Sequence, residues 1–297
     1  MQAYILLAVQ KLFAGTSLLS PGTAARMAHF LLTHPAMLAM RTHAERTLLQ
    51  RAEPLKQSAE KLNVVTPGGT MQVYYWPPAS ETGANAPVAI LAHGWGGQGL
   101  FMAQFVEPLR QAGFQVAAVD LPGHGGSAST HTDPANAAEL VIATARALGR
   151  ADILIGHSFG ALAVLHAAAG GAPLHDNVAA KKLALISAPA SIEGVFRRIA
   201  RLLDLSAPAE EKLISLAGER LGAELNVLDA NLLLERCTGK VLAIHDEDDF
   251  EIPLETSVAN VASGKNIKAL ITTGLGHREI LMDDAVIDAV AKFAAKK

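Results

Sequence analysis

The chain has 297 residues, half of them hydrophobic and 18% charged, so it carries enough apolar side chains for a sizeable core and is excluded from the disordered class. Its net charge of −3, with no block of Lys or Arg, offers no electrostatic footprint for a nucleic-acid backbone. The lone cysteine, Cys237, excludes an intrachain disulfide and a cysteine zinc cluster; it reads as a buried structural thiol that fits a reducing compartment.

Residues 1–60 read as an N-terminal helical extension. The apolar run 4–9 is a poor signal peptide, because no positive charge precedes it and Lys11 interrupts it early. It is also shorter than the ~20 apolar residues a membrane span requires. Leu18, Leu19, Met27, Phe30 and Leu31 continue at helical spacing, which predicts amphipathic helices packed on the rest of the chain. An interfacial membrane helix is the lesser reading, and a cytoplasmic location is the expectation.

Next, the β-rich runs 62–66 and 71–76 flank the turn-forming Pro67-Gly68-Gly69-Thr70, which predicts a hairpin. Residues 77–87, rich in Pro, Ala, Gly and Asn, read as a surface loop. From there short apolar runs at 88–91, 116–119, 153–155, 183–186, 241–244 and 267–271 alternate with helical segments. Runs apolar on both faces are parallel strands covered by helices on each side, so the expected class is α/β, with residues 61–297 as one domain. About fifty residues separate the strand ending near Ser187 from the one beginning at Val241, longer than a usual crossover. Helical spacing of Ile192, Val195, Phe196, Ile199, Leu202 and Leu203, and again of Leu213, Leu216, Leu221 and Leu225, predicts a small helical cap inserted over about 190–237.

The chemistry-bearing pattern is Gly156-His157-Ser158-Phe159-Gly160, which fits G-x-S-x-G directly after an apolar strand and before the Ala-rich helix 161–169. A strand that turns sharply into a helix strains the serine and leaves no room for side chains at the flanking glycines. Ser158 is therefore the candidate nucleophile. A serine hydroxyl is weak at neutral pH, so it needs a base, and the base needs a carboxylate to fix its tautomer. In folds with this turn the chain order is Ser, acid, His. His277, on a loop after the last strand, occupies the base position; His245 ends a strand and reads as orienting its loop, while His166 and His175 lie too close to the serine's own helix. For the acid, five carboxylates compete in His245-Asp246-Glu247-Asp248-Asp249-Phe250-Glu251-Ile252-Pro253, a stretch that also reads as a solvated charge run or, least of all, a metal site. Backbone N–H groups of Phe159 and of Trp95, in His93-Gly94-Trp95-Gly96-Gly97, are the candidate oxyanion donors. The segment holds neither G-K-[ST] nor G-x-G-x-x-G, which argues against phosphate binding.

Together with Asp120-Leu121-Pro122-Gly123-His124-Gly125-Gly126-Ser127, these segments resemble the α/β-hydrolase superfamily over roughly residues 60–297. The family's acid loop often reads H-G-x-x-D-x-x-V-P, and laying it on 245–253 implies Asp249 as the acid, with Asp248 as the fallback because Asp246 stands where Gly is usual. The resemblance implies that 120–127 is a structural turn, in which His124 receives no role, and that the core chemistry uses no metal and no organic cofactor. It further implies a serine hydrolase acting on a small-molecule carboxylic ester through a Ser158-His277-Asp249 triad and an acyl-enzyme; a serine nucleophile argues against haloalkane dehalogenase, epoxide hydrolase and dienelactone hydrolase activity. A thioesterase, an acyltransferase, a C–C bond hydrolase and a cofactor-free perhydrolase share that intermediate. A binding or scaffold protein that kept the fold without catalysis is the alternative from another class.

Overall fold

The computed structural model describes residues 2–38, 41–79, 85–261 and 264–296. Eight strands form one sheet in the order β1-β2-β4-β3-β5-β6-β7-β8. They are β1 (Glu60–Thr66), β2 (Gly69–Trp76), β3 (Val88–Ala92), β4 (Gln115–Val119), β5 (Ile153–His157), β6 (Lys182–Ile186), β7 (Lys240–Asp246) and β8 (Ile267–Thr272). The predicted hairpin is present, and pairing of Thr66 with Gly69 narrows its turn to Pro67-Gly68. β2 is antiparallel to β4, and every pairing from β4 to β8 is parallel.

Strand residues divide between two cores as the pleat requires. Val88, Ile90 and Ala92 of β3, Leu154 of β5, and Val241 and Ala243 of β7 face one core, together with α5 (Pro134–Ala147) and α6 (Phe159–Ala169). Ala89 and Leu91, Ile153 and Ile155, and Leu242 and Ile244 face the other, with α3 (His43–Ser58), α4 (Val106–Gln111) and α12 (Asp284–Ala295). Burial on both faces explains why these strands read as unbroken apolar runs. The same logic makes α6 apolar all round: it lies over the sheet against α5 and against α9 (Ala230–Arg236).

The connection after β3 leads to one side of it, to β4, and the chain then returns to the other side, to β5. The carboxyl ends of β3 and β5 thus flank a topological switch point, the place in an open α/β sheet where the flanking loops diverge and leave a crevice. His93–Gly97 and Ser158 both follow directly from those two strand ends.

The extension forms α1 (Gln2–Leu19), α2 (Pro21–Thr33) and α3. Helix α3 packs on the sheet, where Leu48 and Ala52 share a cluster with Trp76, whose indole N–H donates to Leu55 C=O at 2.9 Å. By contrast α1 and α2 pack on α7 (Ile192–Leu202) and α8 (Ala207–Leu221): Phe13, Ala25 and Ala28 share a cluster with Ala200 and Leu213. The Ser17 and Ser206 hydroxyls are 2.8 Å apart, and Gln10 donates to Leu202 C=O. Extension and inserted helices therefore make one layer. Helical spacing had pointed Leu18 and Leu19 inward, but they are 80% and 90% exposed. The packed face of α1 runs through Val9, Phe13 and Ser17, which turns Leu18 and Leu19 outward before the chain reverses at Ser20-Pro21. α9, also within the interval read as the cap, packs on α6 instead.

Candidate active site

Ser158 stands between β5 and α6 with φ 53° and ψ −119°, a conformation costly for a residue with a Cβ. Its amide is held by Ile186 C=O on the neighbouring strand at 2.8 Å. A Cβ on Gly156 would lie 2.4 Å from Gly160 O, and one on Gly160 would lie 2.4 Å from the carbonyl oxygens of both Ala92 and His93. These are backbone obstacles that no rotamer change relieves. Gly160→Ala should therefore cost about 3 kcal/mol or more, read as a lowered urea midpoint; an unchanged midpoint would show that the turn relaxes freely.

Gly94 brings the loop after β3 against this turn, for a Cβ there would meet His157 Nδ1 at 2.9 Å and Ser158 Cβ at 3.2 Å. The Trp95 and Phe159 amides lie in the two segments so apposed, and among the described residues neither is engaged in a hydrogen bond. The Trp95 indole N–H donates to Leu32 C=O of α2 at 2.8 Å, so the helical layer reaches this loop directly.

His277 lies in the short turn Gly276–Glu279 (α11), buried, and its Nδ1–H donates to Asp249 Oδ2 at 2.7 Å. The other Asp249 oxygen accepts the amides of Glu251 and Ile252 at 2.9 and 2.8 Å. Burial alone would raise the Asp249 carboxyl; the His277 hydrogen bond and charge, with the Ile252 amide, hold it below its ordinary value. The competing carboxylates are spent elsewhere. Asp248 is exposed and accepts from the Gly274 amide at 2.8 Å, while buried Asp246 accepts from the Gly276 amide at 2.9 Å and the Thr272 hydroxyl at 2.7 Å. Glu251 pairs with Arg278 and lies 3.9 Å from His277 Nε2. His245 Nε2–H donates to Ile252 C=O at 2.7 Å, which orients the acid loop as the sequence reading expected. His166 bonds Gly171 C=O, and His175 is exposed. Burial raises the Cys237 thiol to about 11.

Several supporting residues escaped the sequence reading. His157, the variable position of the serine motif, donates from Nε2–H to His277 C=O at 2.8 Å, with the two rings 4.7 Å apart. It links the serine turn to the base's own backbone. Glu45 of α3 accepts from Arg278 at 2.9 Å, so the extension also grips the residue after His277. His124, which had no expected role, accepts the Gly96 amide on Nε2 at 2.9 Å and bonds Pro122 C=O through Nδ1–H. His93 does the same between Gly94 C=O and the Leu121 amide. None of these carries a local signal, because each also has a partner far away in sequence: Gly96 for His124, Leu121 for His93, His277 for His157 and Arg278 for Glu45.

Because both imidazoles accept amide hydrogen bonds while buried, they fold in the neutral state. Burial lowers His93 to about 4, and burial followed by the proximity of His93 lowers His124 to about 3, each from 6.5. As pH falls below the ordinary histidine value, the unfolded chain takes up protons that the folded chain refuses. Stability is thus fully present above about pH 6.5 and is lost progressively down to the two folded values. Asp120, raised by burial, opposes this, but His157 and His245 are lowered by burial and add to it. The melting temperature should fall steadily from pH 7 to about 4.5; a constant value across that range would refute neutral folding of these histidines.

The alpha/beta hydrolase family model matches residues 89–292, more than half the chain, and the chain belongs to that family. Among curated proteins it is 42% identical over 85 residues to the pimeloyl-(acyl-carrier protein) methyl ester esterase of Vibrio campbellii, covering 28% of this chain and 32% of that one. To the esterase of the same name from Vibrio atlanticus it is 34% identical over 116 residues, covering 39% and 40%. The matches therefore span well under half of those relatives' lengths. Among solved structures, Est1E from Butyrivibrio proteoclasticus has a TM-score of 0.60 at 22% identity, over 78% of this chain and 96% of that one. The Pyrococcus furiosus esterase Pf2001 has a TM-score of 0.59 at 18% identity, over 79% and 91%. At such identities these likenesses establish the fold.

Proposed function

We propose that the protein hydrolyses carboxylic esters by acyl transfer through Ser158. The hydroxyl of Ser158 attacks the ester carbonyl and His277 Nε2 takes its proton. Asp249 holds Nδ1–H and stabilises the imidazolium, and the Trp95 and Phe159 amides receive the negative charge that develops on the carbonyl oxygen. His277 then returns the proton to the departing alcohol. Water, deprotonated by the same imidazole, releases the acid and restores the serine.

The observation that carries this reading is the 2.7 Å Asp249–His277 hydrogen bond, made by a histidine whose carbonyl is bound by His157, the neighbour of the strained Ser158. It is supported by the unengaged amides of Trp95 and Phe159 and by the esterase names of the matched relatives. The apolar side chains of the helical layer favour an uncharged, partly hydrophobic acyl or alcohol group.

A fluorophosphonate probe tests the mechanism directly. Folded wild-type protein should be labelled and Ser158→Ala should not. Absence of labelling in folded wild-type protein would overturn the reading in favour of a non-catalytic member of the fold. A series of p-nitrophenyl esters of increasing chain length, run beside acyl thioesters, then separates ester from thioester preference.

A further inference from the structure

The outer face of α1 has the wrong character for a helix that faces water. Its exposed positions include Leu7, Lys11, Leu12, Gly15, Leu18 and Leu19, with Leu12, Leu18 and Leu19 at 56%, 80% and 90% exposure. At 100° per residue these positions fill one arc of about 140°, opposite the arc of Val9, Phe13 and Ser17 that packs on the rest of the layer. A surface helix ordinarily turns charged residues outward, whereas this one is apolar on both sides and only the inner side is covered.

Charge indicates what covers the outer side. Lys11 is the one charged residue of α1 and lies within the bare arc. The first 44 residues carry Lys11, Arg26 and Arg41 and no carboxylate, in a chain whose net charge is −3. A cationic, acid-free segment on an acidic protein complements an anionic surface. A second copy fits less well, since a two-fold pairing of these faces would bring both Lys11 side chains into one apolar interface. Among the described residues no helix is long and apolar enough to cross a membrane, so the geometry is that of a helix lying on a bilayer.

We infer that the outer face of α1 docks the protein on an anionic lipid surface, with Leu7, Leu12, Leu18 and Leu19 among the acyl chains and Lys11 reaching to the headgroups. The docked layer is the one whose Leu32 carbonyl holds Trp95, so docking sets the candidate active site beside the bilayer. The inference stands independently of the ester reading.

Flotation of the full chain tests it, using phosphatidylcholine vesicles with and without phosphatidylglycerol. Wild-type protein should float with the mixed vesicles and do so less in high salt. Combined Leu12→Ser, Leu18→Ser and Leu19→Ser should lower partitioning at least ~100-fold with an unchanged thermal melt, because these side chains are already exposed. Lys11→Glu, which leaves the apolar face intact, should lower it about five-fold or more. Failure of wild-type protein to float with either vesicle would overturn the inference, as would wild-type flotation of the leucine variant. So would a light-scattering dimer that the leucine variant dissolves, which would assign the face to a second copy.

Discussion

Ser158→Ala and His277→Ala should each lower kcat/KM toward p-nitrophenyl acetate by ~10⁴ to 10⁶-fold, because nucleophile and base act as a unit and neither works without the other. The double variant should be little worse than either single one. Neither substitution should unfold the protein. Ser158 is partly exposed, and its alanine variant relieves none of the positive-φ cost and adds no atom; what the structure requires at the turn is Gly156 and Gly160. His277 is anchored through its backbone as well, since its carbonyl accepts from His157. Near-wild-type turnover by folded His277→Ala would remove His277 as the base, even if Ser158→Ala were dead.

Asp249→Asn should lower kcat by ~10³ to 10⁴-fold, whereas Asp248→Asn should stay within a few-fold of wild type. The contrast follows from what each carboxylate touches. The Asp249 oxygens divide between His277 Nδ1–H and two amides of its own loop, so an amide side chain placed there presents an N–H to one of those donors and lets imidazole take the wrong tautomer. Asp248 is exposed and serves the Gly274 amide, a contact that Asn can still make through its carbonyl oxygen. The reverse outcome would move the acid to Asp248 and require the loop to rearrange around His277. A comparable loss in both would show that the loop as a whole, and not one carboxylate, sets the imidazole.

The elements legible from the chain alone were those whose cause is local. Five parallel strands, β3 to β7, announced themselves because a strand covered on both faces must be apolar at consecutive positions, whereas β8, also read as a covered run, is an edge strand exposed at Lys268, Ala269 and Ile271; the observed limits of all six differ from the apolar runs by a residue or two at the ends. The serine turn was equally legible, since a sharp strand-to-helix reversal with no room for side chains imposes glycine two residues on either side of Ser158. Family membership followed from these same segments. The acid loop was legible only as a choice among five carboxylates, because all five are compatible with a polar loop after β7. What separates them is which oxygen faces His277, twenty-eight residues further along the chain.

Tertiary structure alone decided the rest, and the reason is the same in each case. Asp246, His93, His124 and His157 act through hydrogen bonds to backbone groups brought near by the sheet order, and a backbone partner leaves no trace in residue identity. The N-terminal helices were readable as helices, but not as half of a layer shared with α7 and α8, nor as the support of Trp95 and Arg278. Apolar spacing identified α1 as apolar; only its packing showed which leucines are buried and which remain on the outside. Local sequence thus determined the strands, the strained serine turn and the family, because steric and burial constraints act within a few residues. Which carboxylate meets His277, which side chains support that contact and which face of α1 stays bare were decided by folding, because those depend on contacts that the chain makes only when distant segments meet.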